Sequence, residues 1–301
     1  MKVLHDARFT GREGSSRPVD KIGIGGQHMK LTDTFTLSNG VTIPKLGLGT
    51  WLIEDEKVGA AVTEALAVGY RHIDSAQGYR NEGGVGTAIR NSGIPREEIF
   101  VTTKLKAEIK NYEEAVAAIE GSLEKLDLGY IDLLLIHAPK PWDKMGEEDR
   151  YLEGNVAAWR AIEEAYKAKK IRAIGVSNFD KTDIENIINN CEIKPHVNQI
   201  LMYVGKTPWE TLEYCNSQDI LVEAYSPIAH GKLLEDPELI AIADSYNVSV
   251  AQLCLAYCLQ LDTLPLPKSV TPAYIKANAQ LDFTISEAHM EQLKGIDRPV
   301  F

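Results

Sequence analysis

The sequence predicts an α/β fold, a closed (β/α)8 TIM barrel with an N-terminal β-hairpin closing its bottom. Eight short apolar runs alternate with amphipathic helical stretches, at the cadence of βαβ crossovers. The competing architecture, an open doubly wound sheet, carries G-x-G-x-x-G after its first strand. Here Gly47-Leu48-Gly49 runs on into Thr50-Trp51-Leu52 with no third glycine, and Gly23 and Gly25 precede any strand. The chain has 301 residues, enough for a barrel of about 250.

Residues 1–28 stand apart. Thr10 to Pro18 reads TGREGSSRP and Ile22 to Gly26 is glycine-rich, with neither a helical nor a strand period. A self-sufficient start follows at Met29. Residues 1–28 are expected to be a mobile leader or a cloning remnant, leaving 29–301 as one barrel domain. The hairpin is read from TFTLSNGVTIPKLG, with Ser38-Asn39-Gly40 as its turn. The barrel strands are expected at 46–49, 70–74, 99–105, 131–137, 171–177, 196–200, 221–226 and 264–269. Helices are expected at 56–69, 83–93, 112–128, 155–170, 181–190 and 208–218, with a two-part segment before the last strand.

Composition narrows the function. The 44% hydrophobic and 25% charged residues are those of an ordinary globular protein. The net charge of −11, from 32 basic and 43 acidic residues, argues against nucleic acid as a partner. No apolar run is long enough to span a membrane, and no secretory stretch opens the chain. Four scattered cysteines, Cys191, Cys215, Cys254 and Cys258, do not make a disulfide framework, so a cytoplasmic protein is expected. Cys254 and Cys258 lie four apart in a helical pattern and read as a core face. No cluster of His and Cys suggests a metal, so none is expected.

Catalytic groups of a barrel sit at the C-terminal ends of its strands. Polar residues interrupt the apolar runs there: Asp74 with Tyr79 in the following loop, Lys104, His137, Ser177-Asn178, Asn198-Gln199, Tyr225-Ser226 and Lys268-Ser269. Tyrosine, with an ordinary pKa of about 10, is a weak acid at neutral pH. A lysine beside it favours the phenolate and is expected to lower that value. Asp74 would hold Lys104, His137 would orient a substrate oxygen, and Tyr79 would give its proton to a nascent alkoxide. G-x-S-x-G, H-E-x-x-H and the P-loop pattern are all missing, which removes support from hydrolase, zinc and NTPase readings.

At these residues the chain resembles the aldo-keto reductase family, from about Thr34 to Leu293. The segments that carry the resemblance are GYRHIDSAQGYRNE (69–82), IFVTTKL, DLLLIHAP, GVSNF (175–179), VNQ (197–199), AYSP (224–227) and LPKS (266–269). Among family members it looks most like bacterial ones, including 2,5-diketo-gluconate reductases. The resemblance implies a catalytic tetrad of Asp74, Tyr79, Lys104 and His137. It places Ser177, Asn178 and Gln199 on the nicotinamide amide and Tyr225 on its ring. Ser226, Ile228 and Lys232 would follow the pyrophosphate, Lys268 and Ser269 would meet the 2′-phosphate, and Tyr274 and Asn278 would complete the cofactor set. Trp51, Tyr79, His137 and Trp142 would line the substrate.

The chain departs from the family in four ways. Tyr274 stands where an arginine is usual, so NADPH is expected with NADH also admitted; Lys276 lies two positions on. Ala138 replaces a common tryptophan, and Ala277 a common glutamate. Few residues follow Gly295, which implies an open, permissive pocket. The implied function is NADPH-dependent reduction of aldehydes and ketones, with a small carbonyl compound as partner and a monomer or weak homo-oligomer as the state. Two alternatives are an NADP(H)-binding regulatory or sensor subunit with little turnover and a phosphate-binding barrel isomerase or lyase.

Overall fold

The computed structural model describes residues 29–301, and the leader expected at 1–28 lies outside the described residues. The hairpin forms as read. Strands β1 (Thr34–Thr36) and β2 (Thr42–Pro44) pair antiparallel with Phe35 opposite Ile43. Gly40 takes φ 85° at the turn, a conformation that costs glycine little. Asn39 accepts from the Val41 N–H and donates to the Arg172 carbonyl at 3.0 Å, which pins the turn to the barrel.

Eight parallel strands follow in chain order around the barrel. They are β3 (Leu48–Gly49), β4 (His72–Asp74), β5 (Phe100–Leu105), β6 (Ile131–Ile136), β7 (Ile171–Ser177), β8 (Val197–Leu201), β9 (Leu221–Tyr225) and β10 (Leu264–Leu266). A parallel bridge between Gly49 and Lys268, with the Gly49 N–H donating to the Pro267 carbonyl at 2.9 Å, brings β10 back to β3. All eight expected strands are present.

The helices are α1 (Asp55–Val68), α2 (Glu82–Arg90), α3 (Tyr112–Leu126), α4 (Leu152–Lys167), α5 (Lys181–Asn190), α6 (Trp209–Ser217), α7 (Pro237–Ser245), α8 (Val250–Gln260), α9 (Pro272–Asn278) and α10 (Glu287–Lys294). The two-part segment resolves into α7 and α8. The short helices α9 and α10, after the last strand, were not read from the sequence. Capping boxes start α5 (Asp180 with Asp183) and α8 (Ser249 with Gln252), each satisfying two of the free N–H groups that a helix start leaves. Cys254 and Cys258 are buried on α8 as a core face. No single helix among the described residues is long and apolar enough to cross a membrane.

Two apolar cores result. The larger lies between the strands and the helices; the smaller fills the lower barrel with Phe100, Leu133, Leu135, Ala173, Val197, Leu264 and Leu266. Leu37 and Ile43 of the hairpin region join that inner core, so the hairpin plugs the bottom. Residues two apart on a strand face the same way. The inward row of β5 therefore reads Phe100, Thr102, Lys104 upward, and that of β9 reads Leu221, Glu223, Tyr225. An apolar floor under a polar ceiling follows from this order.

Gly175 sits where the inner wall has no room for a side chain. A Cβ there would stand 2.5 Å from the Val197 carbonyl oxygen and 2.7 Å from Leu135 Cδ2. Gly175→Ala is expected to cost about 1–3 kcal/mol, the usual penalty of overpacking. Urea denaturation checks this, and an unchanged midpoint would contradict it.

Candidate active site

The polar ceiling centres on Lys104, which has no exposure to solvent. Its Nζ donates to Asp74 Oδ1 and Oδ2 at 2.8 and 2.7 Å, to the Ser75 carbonyl at 2.9 Å and to Tyr79 Oη at 3.2 Å. A buried ammonium is stable only when paired and hydrogen-bonded, and β4 and its loop supply every partner. Burial pulls the Lys104 ammonium toward deprotonation, but Asp74 and Tyr79 outweigh it and hold its pKa above the ordinary lysine value.

Tyr79 ends a 3-10 turn (Gln77–Tyr79). Burial raises its pKa, Lys104 lowers it, Asp74 raises it, and the net direction is upward. This reverses the sequence expectation of a lowered value. The reason is that the Lys104 charge is already shared with Asp74, so less of it reaches the phenol than burial takes away. The phenol oxygen accepts from Lys104, so its own proton is not committed to that bond.

His137 follows β6, with its ring edge-on to Tyr79 at 5.5 Å between centroids. Its Nδ1 is buried without a hydrogen-bond partner among the described residues. Burial, then the nearby Lys104 charge, hold its pKa down to about 3. The imidazole is therefore neutral at neutral pH. Trp142 packs edge-on against the same ring at 5.2 Å, while Ala138 beside it is fully buried. Trp51 stands apart from these groups and leans on His230, with ring centroids 5.3 Å apart.

The structure brings Asp74, Tyr79, Lys104 and His137 together. It also shows what the sequence reading passed over: the turn carrying Tyr79 is held by buried amides inside the same segment. Gln77 Nε2 donates to the Ala118 carbonyl and Ser122 Oγ of α3, and its Oε1 accepts from the Lys106 N–H. Asn81 Nδ2 donates to the Thr50 and Ile53 carbonyls while its Oδ1 accepts from Ser75 Oγ. Glu82 accepts from Thr103 and Ser122. The signal was present, since three polar residues so close in a buried segment need partners.

Across the mouth, Ser177, Asn178, Gln199 and Tyr225 form one linked group. Tyr225 Oη donates to Asn178 Oδ1 at 2.7 Å, Asn178 Nδ2 donates to the His137 carbonyl, and Ser177 Oγ donates to the Gln199 carbonyl. Asn178 holds φ 62°, which turns its side chain back over the strand ends. Gln199 Nε2 reaches down to Asp74 and Glu223. In the loop after β9, Ser226, Ala229 and His230 all take left-handed backbone, with φ 51°, 48° and 54°. Such turns expose backbone N–H groups suited to anions. Ile228 is half-buried there. Exposed Lys268 follows β10 beside buried Ser269, and Asn278 is buried on α9, while Tyr274 is 66% exposed. Donors of this chemistry along two adjacent loops fit a dinucleotide. Lys232 is engaged elsewhere, donating to the Val300 carbonyl at 3.1 Å.

The short C-terminal segment does more than the sequence suggested. Arg298 pairs with Asp236 and Glu238, and the Phe301 ring stacks on His230 at 4.8 Å. The rim is thus walled on the β9 side despite the brevity of the tail.

The model of the Aldo/keto reductase family matches residues 45–298. The chain belongs to that family. The reductase is 42% identical over 270 residues to the glyoxal reductase of Bacillus subtilis, covering 89% of this chain and 94% of the relative. Among solved structures it matches an aldo/keto reductase from Brucella melitensis with a TM-score of 0.81 at 40% identity, covering 88% of this chain and 99% of the other. It also matches the Bombyx mori aldo-keto reductase AKR2E4 in complex with NADP, with a TM-score of 0.81 at 34% identity over 89% and 94% of the two chains. The reductase is accordingly an oxidoreductase that uses NAD(P)H and acts on small carbonyl compounds.

Burial also sets a pH dependence of stability. His72 and His137 are held to about 3 and His196 to about 4, in each case first by burial. The unfolded chain takes up these protons near 6.5 and the folded chain does not. The histidine contribution to stability is full above about 6.5 and falls as pH drops toward the folded values, by up to about 1.4 kcal/mol per pH unit per histidine. Buried Glu223, pushed up to about 8, opposes it with a single proton of the other sign, so the three histidines set the net direction. A urea midpoint that declines between pH 6.5 and 5, above the carboxylate range, is expected. A flat midpoint across that window would contradict it.

Proposed function

We propose that the reductase reduces aldehydes and ketones with NADPH, with Tyr79 as the general acid. The observation that carries this is the Lys104 Nζ contact to Tyr79 Oη within an ammonium already fixed by Asp74. A phenol whose oxygen accepts from a cation keeps its proton for another acceptor and is stabilised once that proton leaves. Its raised pKa keeps it protonated at neutral pH, the form an acid must hold.

When bound, the nicotinamide supplies a hydride to the carbonyl carbon. Tyr79 delivers the proton to the carbonyl oxygen as negative charge develops there, and the fixed Lys104 charge limits the cost of the phenolate left behind. His137, neutral, orients that oxygen by hydrogen bonding and brings no competing charge. Ser177, Asn178 and Gln199 would hold the carboxamide, Tyr225 would face the ring, and Ser226 and Ile228 would run along the pyrophosphate, with Lys232 joining them only on leaving the Val300 carbonyl. Lys268 and Ser269 would take the 2′-phosphate; Tyr274 could stack there but adds no charge, so NADH is also used. Asn278 completes this end of the groove. Trp142, against His137, and Trp51, further out, give the substrate apolar walls.

The likeness to a glyoxal reductase supports small 2-oxoaldehydes and dicarbonyls as the substrate class. Consumption of NADPH and NADH, followed in parallel by absorbance against methylglyoxal, a diketone and benzaldehyde, tests the reading. The parent is expected to turn over and Tyr79→Phe to lose roughly 100-fold or more of kcat. Tyr274→Arg is expected to raise the NADPH-to-NADH ratio. Tight NADPH binding without turnover of any carbonyl would overturn the proposal.

A further inference from the structure

Below the tetrad lies a second carboxyl group that the proposed chemistry does not use. Glu223, on the inward row of β9, is fully buried. Its register partner on β8 is Gln199. The Gln199 Nε2 amide has two hydrogens, and they go to Asp74 Oδ1 and Glu223 Oε2, each at 2.8 Å. Gln199 therefore bridges the acid that fixes Lys104 to a second acid beneath it. The other oxygen, Glu223 Oε1, has no hydrogen-bond partner among the described residues.

The surroundings of Glu223 offer an ionised carboxylate little support. The titratable groups that face Glu223 are His72 and Asp74 from β4 and Lys104 from β5; β8 offers only the Gln199 amide, and the register partner on β10 is Leu264. Lys104 spends its protons on Asp74, Ser75 and Tyr79. His72 Nε2 is 3.9 Å from Glu223 Oε1, beyond a hydrogen bond, and lies 2.9 Å from Thr102 Oγ1. Asp74 and Lys104 already cancel, so an ionised Glu223 would be a second negative charge in a dry layer with no cation of its own.

We propose that Glu223 is a positioning residue that, as the neutral acid, holds Gln199 and through it the Asp74 carboxylate against Lys104. Burial first, then the Asp74 charge, push its pKa up to about 8. The same burial, with Lys104, keeps His72 neutral, so no proton passes from Glu223 to the imidazole. As pH rises through the Glu223 value, a negative charge appears beneath Asp74. It offsets part of the Lys104 field at Tyr79, makes that phenol a weaker acid and slows carbonyl reduction. The proposal rests on the tetrad reading above, and its test separates the two.

The first arm is infrared spectroscopy of the chain without cofactor or substrate. The parent at pH 7 shows the carbonyl stretch of a protonated carboxylic acid, which fades through pH 8 and is missing from Glu223→Gln. The second arm is kinetic. Glu223→Gln, neutral at every pH, keeps kcat for reduction at pH 7 within about twofold and lacks the alkaline fall of the parent. Glu223→Met, which leaves a Gln199 N–H unpaired, loses about tenfold in kcat, the worth of one buried hydrogen bond, with little change in KM. A parent without the protonated band, or a Gln variant that keeps the alkaline fall, overturns the role of Glu223 even where Tyr79→Phe is inactive. A Tyr79→Phe variant that still turns over removes the tetrad reading, while the infrared band continues to report on Glu223. If Glu223→Met fails to fold, the Gln variant and the band decide the outcome alone.

Discussion

A lysine ammonium without any access to water must find its partners inside the protein, and the upper barrel is arranged around meeting that demand for Lys104. Asp74 accepts from it with both oxygens; the Ser75 carbonyl and Tyr79 oxygen complete its surroundings. The three neighbouring residues come from the end of β4 and the short stretch that follows it, so the loop must leave the strand in one particular way. Gln77, Asn81 and Glu82 enforce that path by bonding to α3, to the loop after β3 and to β5. The ion pair costs desolvation and is weak evidence for stability by itself. Its consequence is placement: one phenol oxygen beside one cation at the mouth of a barrel.

The rest of the architecture serves that placement from below and from the side. The alternation of inward residues gives the barrel an apolar floor, closed by Leu37 and Ile43 of the hairpin region, and a polar ceiling on the same strands. The floor excludes water from the side of the ion pair facing away from substrate, which strengthens the field of Lys104 at Tyr79. On the rim, the loop after β9 carries the left-handed residues Ser226, Ala229 and His230 and the loop after β10 carries exposed Lys268, the features proposed above to meet the cofactor's phosphates. The C-terminal segment leans on the first of these loops through Phe301 and His230.

Much of this was legible in the sequence because the signals were periodic or terminal. Eight apolar runs ending in polar residues made the barrel and its rim readable, and Asp74, Lys104 and His137 were visible as interruptions at strand ends. Two kinds of information were not local. The direction of the Tyr79 shift depends on how much of the Lys104 charge Asp74 takes up and how much water burial removes, and neither is written in spacing. The role of Glu223 depends on a register pairing between β8 and β9 that only the closed barrel creates. The helices α9 and α10 were passed over because each spans only about two turns, too short for a periodic pattern to stand out.

The central claim is that the Asp74–Lys104 pair is a matched charge in a dry site, kept for placement and not for stability. Urea denaturation of Asp74→Asn, Lys104→Met and the combined variant, with turnover measured beside it, tests that claim most directly. Each single change should strand an uncompensated polar or charged partner and destabilise strongly, while the double change should recover much of the loss and stay inactive. A double variant as unstable as the sum of the two single variants, or one that still reduces carbonyls, would contradict the account.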